Sequence, residues 1–248
     1  MAYSDPQITT LLLDIEGTTT PIDFVYETLF PYARAHMHEF IVRDLSKGQL
    51  SQDVEGLIQE HAADITAGNN PPPISTDPQN YAKWLVEYVY WLMDLDRKSS
   101  PLKSIQGKIW EAGYNQGELK SEVFRDVPVA FGRWVGQQRQ VCIYSSGSVL
   151  AQKLLFANTQ GGDLTGHISA YFDTNVGPKK DPASYSRIGQ ELRRIPQEIL
   201  FLSDTAAELA AASRAGLAAI LCSRPGNHPQ SGINEYTIVE TFDEIFPN

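Results

Sequence analysis

Asp14 and Glu16 stand two residues apart at the end of the apolar run Leu11-Leu12-Leu13, and Gly17-Thr18-Thr19-Thr20 follows them. Residues i and i+2 of an extended chain share a face, so this spacing predicts both carboxylates on one side of a strand end. The space beyond the carboxyl ends of parallel strands is where open α/β sheets bind ligands. Two acids held there can bind a divalent metal, activate a nucleophile, or divide acid and base roles. Taken alone, the stretch reads equally well as a buried strand ending in a polar turn.

Other polar groups also follow apolar runs. Ser145-Ser146-Gly147-Ser148 comes after Gln140 to Tyr144, and Ser203-Asp204 comes after Ile199 to Leu202. Gly177-Pro178-Lys179-Lys180-Asp181-Pro182 precedes a helical pattern. Each group has a task in phosphoryl chemistry. The Asp14 carboxylate can attack phosphorus and form an acyl phosphate that water then hydrolyses. Asp14 and Asp204, with a contribution near Glu16, supply the oxygen ligands that magnesium prefers. The Ser145 hydroxyl and the amides of Ser146 and Gly147, at a helix start, can receive phosphate oxygens. One of the two lysines can neutralise charge on the transferring group. Singly, each has a plainer reading: the serines as helix caps, Asp204 and Glu208 as first-turn acids, the lysines as solvated surface. Jointly, in the order acid pair, serine, lysine, acid, they read as one site.

The elements that must position these groups follow from periodicity. Continuous apolar runs at Ile8 to Leu13, Gln140 to Tyr144, Ile199 to Leu202 and Ala218 to Cys222 predict buried strands, with a short extended piece at Ala170 to Asp173. Helical patterns lie between them at Pro128 to Gln138, Val149 to Asn158, Asp181 to Arg194 and Thr205 to Ala215, the last stopped by Gly216. Strands alternating with helices predict a doubly wound parallel α/β sheet with right-handed crossovers. Between Phe24 and Gln116 the β-runs disappear. Tyr26 to Leu45 reads as one long helix, Ser51 opens another, Gly68 to Pro73 is a loop, and Asp77-Pro78 and Ser100-Pro101 open two more. The expected organisation is an α/β core over residues 1–21 and 126–248, split by a helical insert over 22–125. The insert's aromatics Trp84, Tyr88, Trp91 and Trp110 are expected in its core.

Composition narrows the class. A net charge of −10 over 248 residues argues against a nucleic-acid surface but leaves room for a small phosphorylated substrate beside a cation. No apolar run reaches the roughly 18 to 20 residues that span a bilayer, and the N-terminus has no basic segment followed by an apolar one, so a cytoplasmic protein with no membrane partner is expected. Cys142 and Cys222 sit inside strand-like runs, which suits buried thiols in a reducing compartment.

The four groups together resemble the haloacid dehalogenase-like hydrolase superfamily, whose fold is a Rossmann-like core with a cap domain. Asp14-Ile15-Glu16-Gly17-Thr18 is similar to its first motif, Ser145 to its second, Lys179 followed by Asp181-Pro182 to its third, and Asp204 with Glu208 to its fourth. The resemblance puts Lys179 in register, and not Lys180. Glu16 departs from the aspartate that the superfamily's phosphatases usually carry. That glutamate, with Ser145-Ser146-Gly147-Ser148 and Arg224-Pro225-Gly226-Asn227, is similar to the methionine-salvage branch of the superfamily.

The resemblance implies a bifunctional enzyme with one magnesium ion. It would enolise 2,3-diketo-5-methylthiopentyl-1-phosphate and then hydrolyse the phosphate, giving 1,2-dihydroxy-3-keto-5-methylthiopentene. By the same resemblance, Asp14 is metal ligand and nucleophile, Glu16 a catalytic group and a ligand through its backbone carbonyl, and Asp204 the third ligand. Ser145 and Ser146 bind substrate, and Lys179 binds phosphate. A monomer is expected. A simple magnesium-dependent phosphatase of another small metabolite is the nearest rival. A metal-free dehalogenase and a non-catalytic binding protein are more distant ones.

Overall fold

The computed structural model describes residues 2–47, 51–73, 75, 77, 80–233 and 235–247. The chain divides into two compact units, Met1–Tyr26 with Lys120–Asn248, and Glu27–Leu119.

The first unit is built on a six-stranded parallel sheet. Its strands are β1 (Thr10–Leu13), β2 (Gln140–Tyr144), β3 (Ile168–Phe172), β4 (Ile199–Ser203), β5 (Ala218–Cys222) and β6 (Thr237–Val239), in the order β3-β2-β1-β4-β5-β6. β1 and β4 are wholly buried, as their unbroken apolar sequences require of strands covered on both faces. Helices α5 (Val127–Gly136), α6 (Val149–Ala157), α7 (Pro182–Leu192) and α8 (Ala206–Arg214) alternate with them. Tyr185 of α7 packs its ring edge-on against Tyr144 of β2 and Phe201 of β4, at 5.5 and 5.1 Å between centroids. From β1 the chain winds outward to β2 and β3, then crosses to β4 on the other side. The topological switch point therefore lies between β1 and β4, where open sheets form their ligand crevice.

Three expectations change in this unit. The extended piece expected at Ala170 to Asp173 is strand β3, beginning at Ile168. The first strand begins at Thr10 instead of Ile8. Strand β6 is additional: its three residues are largely exposed except Val239, so this short edge strand carries no continuous apolar run to reveal it.

The second unit contains α1 (Phe30–Leu45), α2 (Gln52–Thr66), α3 (Tyr81–Asp94) and α4 (Ser100–Gln116). The helix expected from Tyr26 to Leu45 is instead a π-helical stretch over Phe24–Leu29 followed by α1. Pro31 stands in the first turn of α1. It has no N–H to donate, and its ring crowds the carbonyl one turn earlier, so the α-helical ladder cannot run through it. Ser51 caps α2, accepting from Val54 N at 3.4 Å, and Ser99 caps α4, accepting from Leu102 N at 3.2 Å. The start expected at Asp77-Pro78 falls on Pro78, which lies outside the described residues. Trp84, Tyr88 and Trp110 are buried within the unit and Trp91 half-buried. Among the described residues, no helix is long and apolar enough to cross a membrane.

Candidate active site

Register brings the ends of β1 and β4 together. Leu13 lies across from both Ile143 and Leu202, and Asp14 N extends the ladder by one bond to Leu202 O at 3.0 Å. The extended exit expected for Asp14 and Glu16 then stops. The amides of Thr18, Thr19 and Thr20 all turn back onto Ile15 O, at 3.1, 2.9 and 2.9 Å, and Gly17 N donates to Thr20 O at 2.8 Å. Gly17 holds φ +67°, a conformation that favours glycine. Glu16 thus reaches the site from a tight turn. Its carboxylate is pushed toward the protonated form by burial first and by Asp14 second, with Lys179 opposing and Asp204 adding to the push.

The side chains of Asp14, Lys179, Glu208 and Ser203 form a closed ring. Asp14 Oδ1 accepts from Ile15 N at 2.8 Å and pairs with Lys179 Nζ at 2.5 Å. Lys179 Nζ also pairs with Glu208 Oε2 at 2.7 Å. Ser203 Oγ closes the ring, 3.0 Å from Glu208 Oε2 and 3.1 Å from Asp14 Oδ2. That hydroxyl has one proton for two carboxylates, and its own oxygen accepts from Thr205 N at 3.1 Å. One ammonium therefore faces two buried carboxylates. Burial and then the Asp14 charge push Glu208 up to about 7, although Lys179 and Ser203 favour its ionised form. Burial alone would lower the Lys179 pKa, but Asp14, Glu208 and Glu16 together hold it above the usual lysine value.

Local sequence chemistry sets Lys179 in place. Tyr185 donates its hydroxyl proton to Lys179 O at 2.7 Å, Tyr144 donates to Gly177 O at 2.9 Å, and Ser184 donates to Pro178 O at 2.9 Å. Asp181 caps α7 by accepting from Ala183 N at 3.0 Å. The result buries Lys179 and leaves the adjacent Lys180 exposed.

Asp204 follows β4, and Thr205 Oγ1 donates to its Oδ1 at 3.0 Å. Burial and the neighbouring Asp14 charge push its carboxyl up to about 6. Ser145, at the end of β2, is buried; its amide donates to Phe172 O at 3.1 Å and its Oγ accepts from Gly147 N at 3.1 Å. Ser146 occupies the same turn. The capping role belongs to Ser148, which accepts from Ala151 N at 3.3 Å at the start of α6. Ser145 and Ser146 thus share the sheet edge with Asp14, one strand away.

Among the described residues, no three His, Cys, Asp or Glu side chains gather as a ligand cluster. The expected donors, the Asp14 and Asp204 carboxylates with the Glu16 backbone carbonyl, are all oxygens of the kind a hard divalent cation takes. Magnesium commonly takes one or two carboxylates and completes its shell with waters and substrate phosphate. A cation there would offset the burial and the Asp14 charge that push Asp204 toward protonation.

Three contributors have no task that the sequence alone assigns: Ser203 stands there only as the neighbour of Asp204, and Arg224 and Asn227 only as part of a motif. Arg224 Nε donates to Thr18 O at 3.1 Å, and Asn227 Nδ2 donates to Gly17 O at 2.9 Å, so the loop after β5 grips the turn after β1. Arg224 also pairs with Asp126 at 2.8 Å.

The sheet order and the acids at its switch point are those of a hydrolase of the haloacid dehalogenase-like class. The sequence profile of that family, haloacid dehalogenase-like hydrolase, matches residues 8–216, and the chain belongs to it. Within the family, the chain is 48% identical over 238 residues to the Enolase-phosphatase E1 of Synechococcus elongatus, covering 96% of this chain and 98% of that one. It is 45% identical over 222 residues to the Enolase-phosphatase E1 of Drosophila simulans, covering 88% of this chain and 84% of that one. Among solved structures, the UTR4 protein of Saccharomyces cerevisiae superposes with a TM-score of 0.74 at 36% identity, over 95% of this chain and 99% of that one.

Proposed function

We propose that this chain is a cytoplasmic, magnesium-dependent enolase-phosphatase that converts 2,3-diketo-5-methylthiopentyl-1-phosphate to 1,2-dihydroxy-3-keto-5-methylthiopentene and inorganic phosphate, acting as a monomer in methionine salvage. The observation that carries the reading is the buried Asp14 carboxylate held against Lys179 at the β1–β4 switch point, with Asp204 and Glu16 beside it. The names of the relatives support the two-step assignment.

The product is a 1,2-enediol derivative, so the first step moves a proton from C1 of the substrate to the oxygen on C2. Glu16 takes the C1 proton and returns it to that oxygen. Burial first and the Asp14 charge second favour its protonated form, which holds the proton between the two transfers. In the second step an Asp14 oxygen bonds to phosphorus while the bond from phosphorus to the C1 oxygen breaks, and that oxygen takes a proton. Water then attacks phosphorus, releasing inorganic phosphate and restoring the carboxylate. Lys179 binds the phosphate and offsets its charge, and Ser145 and Ser146 hold substrate oxygens. Asp14, Asp204 and the Glu16 carbonyl would hold a magnesium ion, which would supply Lewis-acid stabilisation of the phosphoryl oxygens.

The test is phosphate release from the diketone phosphate against a panel of common sugar phosphates, with and without magnesium, alongside the loss of diketone absorbance. Preference for the diketone with both signals supports the reading. Release from sugar phosphates alone assigns the simple phosphatase instead.

A further inference from the structure

Asn227 lies outside all four groups that define the site, yet it is fastened to the first of them. Both protons of its amide are used: Nδ2 donates to Gly17 O at 2.9 Å and to Cys222 O at 3.1 Å. This settles the amide's orientation, because a flipped amide would set its oxygen against those two carbonyl oxygens. The oxygen Oδ1 is therefore directed elsewhere. It is buried without a hydrogen-bond partner among the described residues, a state that is costly for an amide oxygen.

The surroundings of Gly17 indicate what this oxygen faces. A side chain at Gly17 would put its Cβ 2.8 Å from Asn227 Oδ1 and 2.6 Å from Asp204 Oδ2. Two acceptors thus flank one small space beside the Gly17 backbone, and only glycine leaves that space open. A group bridging them must donate two hydrogens, which a water molecule does and a substrate hydroxyl does not. Arg224 holds the adjacent Thr18 carbonyl at 3.1 Å, so the turn that defines the space is anchored at two successive residues.

We propose that Asn227 is a positioning residue for the magnesium centre, its Oδ1 accepting a hydrogen bond from a cation-bound water on the Asp204 side. The inference rests on the magnesium reading above. Outer-shell partners of this kind orient ligands and tune affinity without touching the metal.

Calorimetric titration of the metal-free protein with Mg2+, with thermal melting in EDTA as a measure of folding, tests this. The wild type is titrated first: absence of binding there overturns the magnesium reading, and this inference with it. Given wild-type binding, Asn227→Ala is expected to bind Mg2+ about 10- to 100-fold more weakly while still melting cooperatively in EDTA. Asn227→Gln keeps the amide's two donors and its acceptor and is expected to recover affinity over the alanine variant. Unchanged affinity in Asn227→Ala, or no recovery in Asn227→Gln, overturns the proposal for Asn227 and leaves the magnesium reading intact. Should Asn227→Ala not fold, Asn227→Gln decides alone: retained binding supports the proposal and lost binding overturns it.

Discussion

The Lys179 ammonium lies 2.5 Å from Asp14 Oδ1, and both side chains are almost entirely buried. With Glu208 on its other side, Lys179 is the one cation in a ring that contains two carboxylates. Removing a single member of a buried ion pair leaves uncompensated charge, which costs more than the pair itself contributes. Lys179→Met is therefore expected to lower metal-free stability by about 3–5 kcal/mol at neutral pH. Urea denaturation in EDTA measures this, and a loss in the surface-pair range of about 0–1 kcal/mol contradicts it.

Gly17 carries two constraints at once, a positive φ and the close approach of Asp204 and Asn227. An alanine there takes on left-handed strain of about 1–2 kcal/mol and drives its methyl into the Asp204 carboxylate. The expected result is a folded protein, slightly less stable, with turnover reduced at least about tenfold because the displaced group is a proposed ligand. Steady-state phosphate release alongside thermal melting separates the two effects. Full activity in a Gly17→Ala variant would mean that Asp204 does not need its present position.

The legible parts of this molecule were those written as local pattern. Gln140 to Tyr144 and Ala218 to Cys222 read as strands and are strands at those bounds, because each runs into a stretch of apolar residues, Val141 to Tyr144 and Ile220 to Cys222, that the fold buries. Asp14 and Asp204 could be placed together because parallel strands put their carboxyl ends on one edge. What stayed hidden depended on long-range contact. Ser203 joins Asp14 across 189 positions of sequence, and Asn227 reaches Gly17 across 210; no periodicity encodes such pairs. Pro31 was visible, but its effect on the preceding turn, a π-helical stretch, was not.

Asp64 in the helical unit offers a pH test independent of the candidate active site. Burial alone would raise its pKa, but Asn69, Tyr88 and Arg97 hydrogen-bond to the carboxylate and together hold it below the ordinary aspartate value. Their distances are 2.8, 2.7 and 2.9 Å. A depressed folded-state pKa means stability present above the unfolded value and lost as pH falls through the folded one. Arg97 keeps Glu60 as a partner and is one-third exposed, so Asp64→Asn is expected to cost about 1–3 kcal/mol at pH 7. The difference from wild type should narrow as pH drops below about 4. A difference that stays constant from neutral to acid pH would assign the loss to packing alone.

Glu16 is where this chain departs from the aspartate expected of a phosphatase, and one methylene is the whole of the difference. The turn after Ile15 sets its backbone, so the side chain's length determines how far the carboxylate extends. Shortening it in Glu16→Asp withdraws the carboxylate by about one bond from the substrate carbon it is proposed to deprotonate. A misplaced general base loses much of the roughly 10²- to 10⁴-fold that proton transfer contributes. In the proposed mechanism the phosphoryl step depends on Asp14, Lys179 and Asp204, which the substitution leaves in place. Loss of diketone absorbance should therefore slow far more than phosphate release from a simple phosphate monoester. Those two signals, followed separately in the same variant, give the decision. Full enolisation with only dephosphorylation lost would mean that Glu16 serves the phosphoryl step and that the extra methylene has no part in moving the carbon-bound proton.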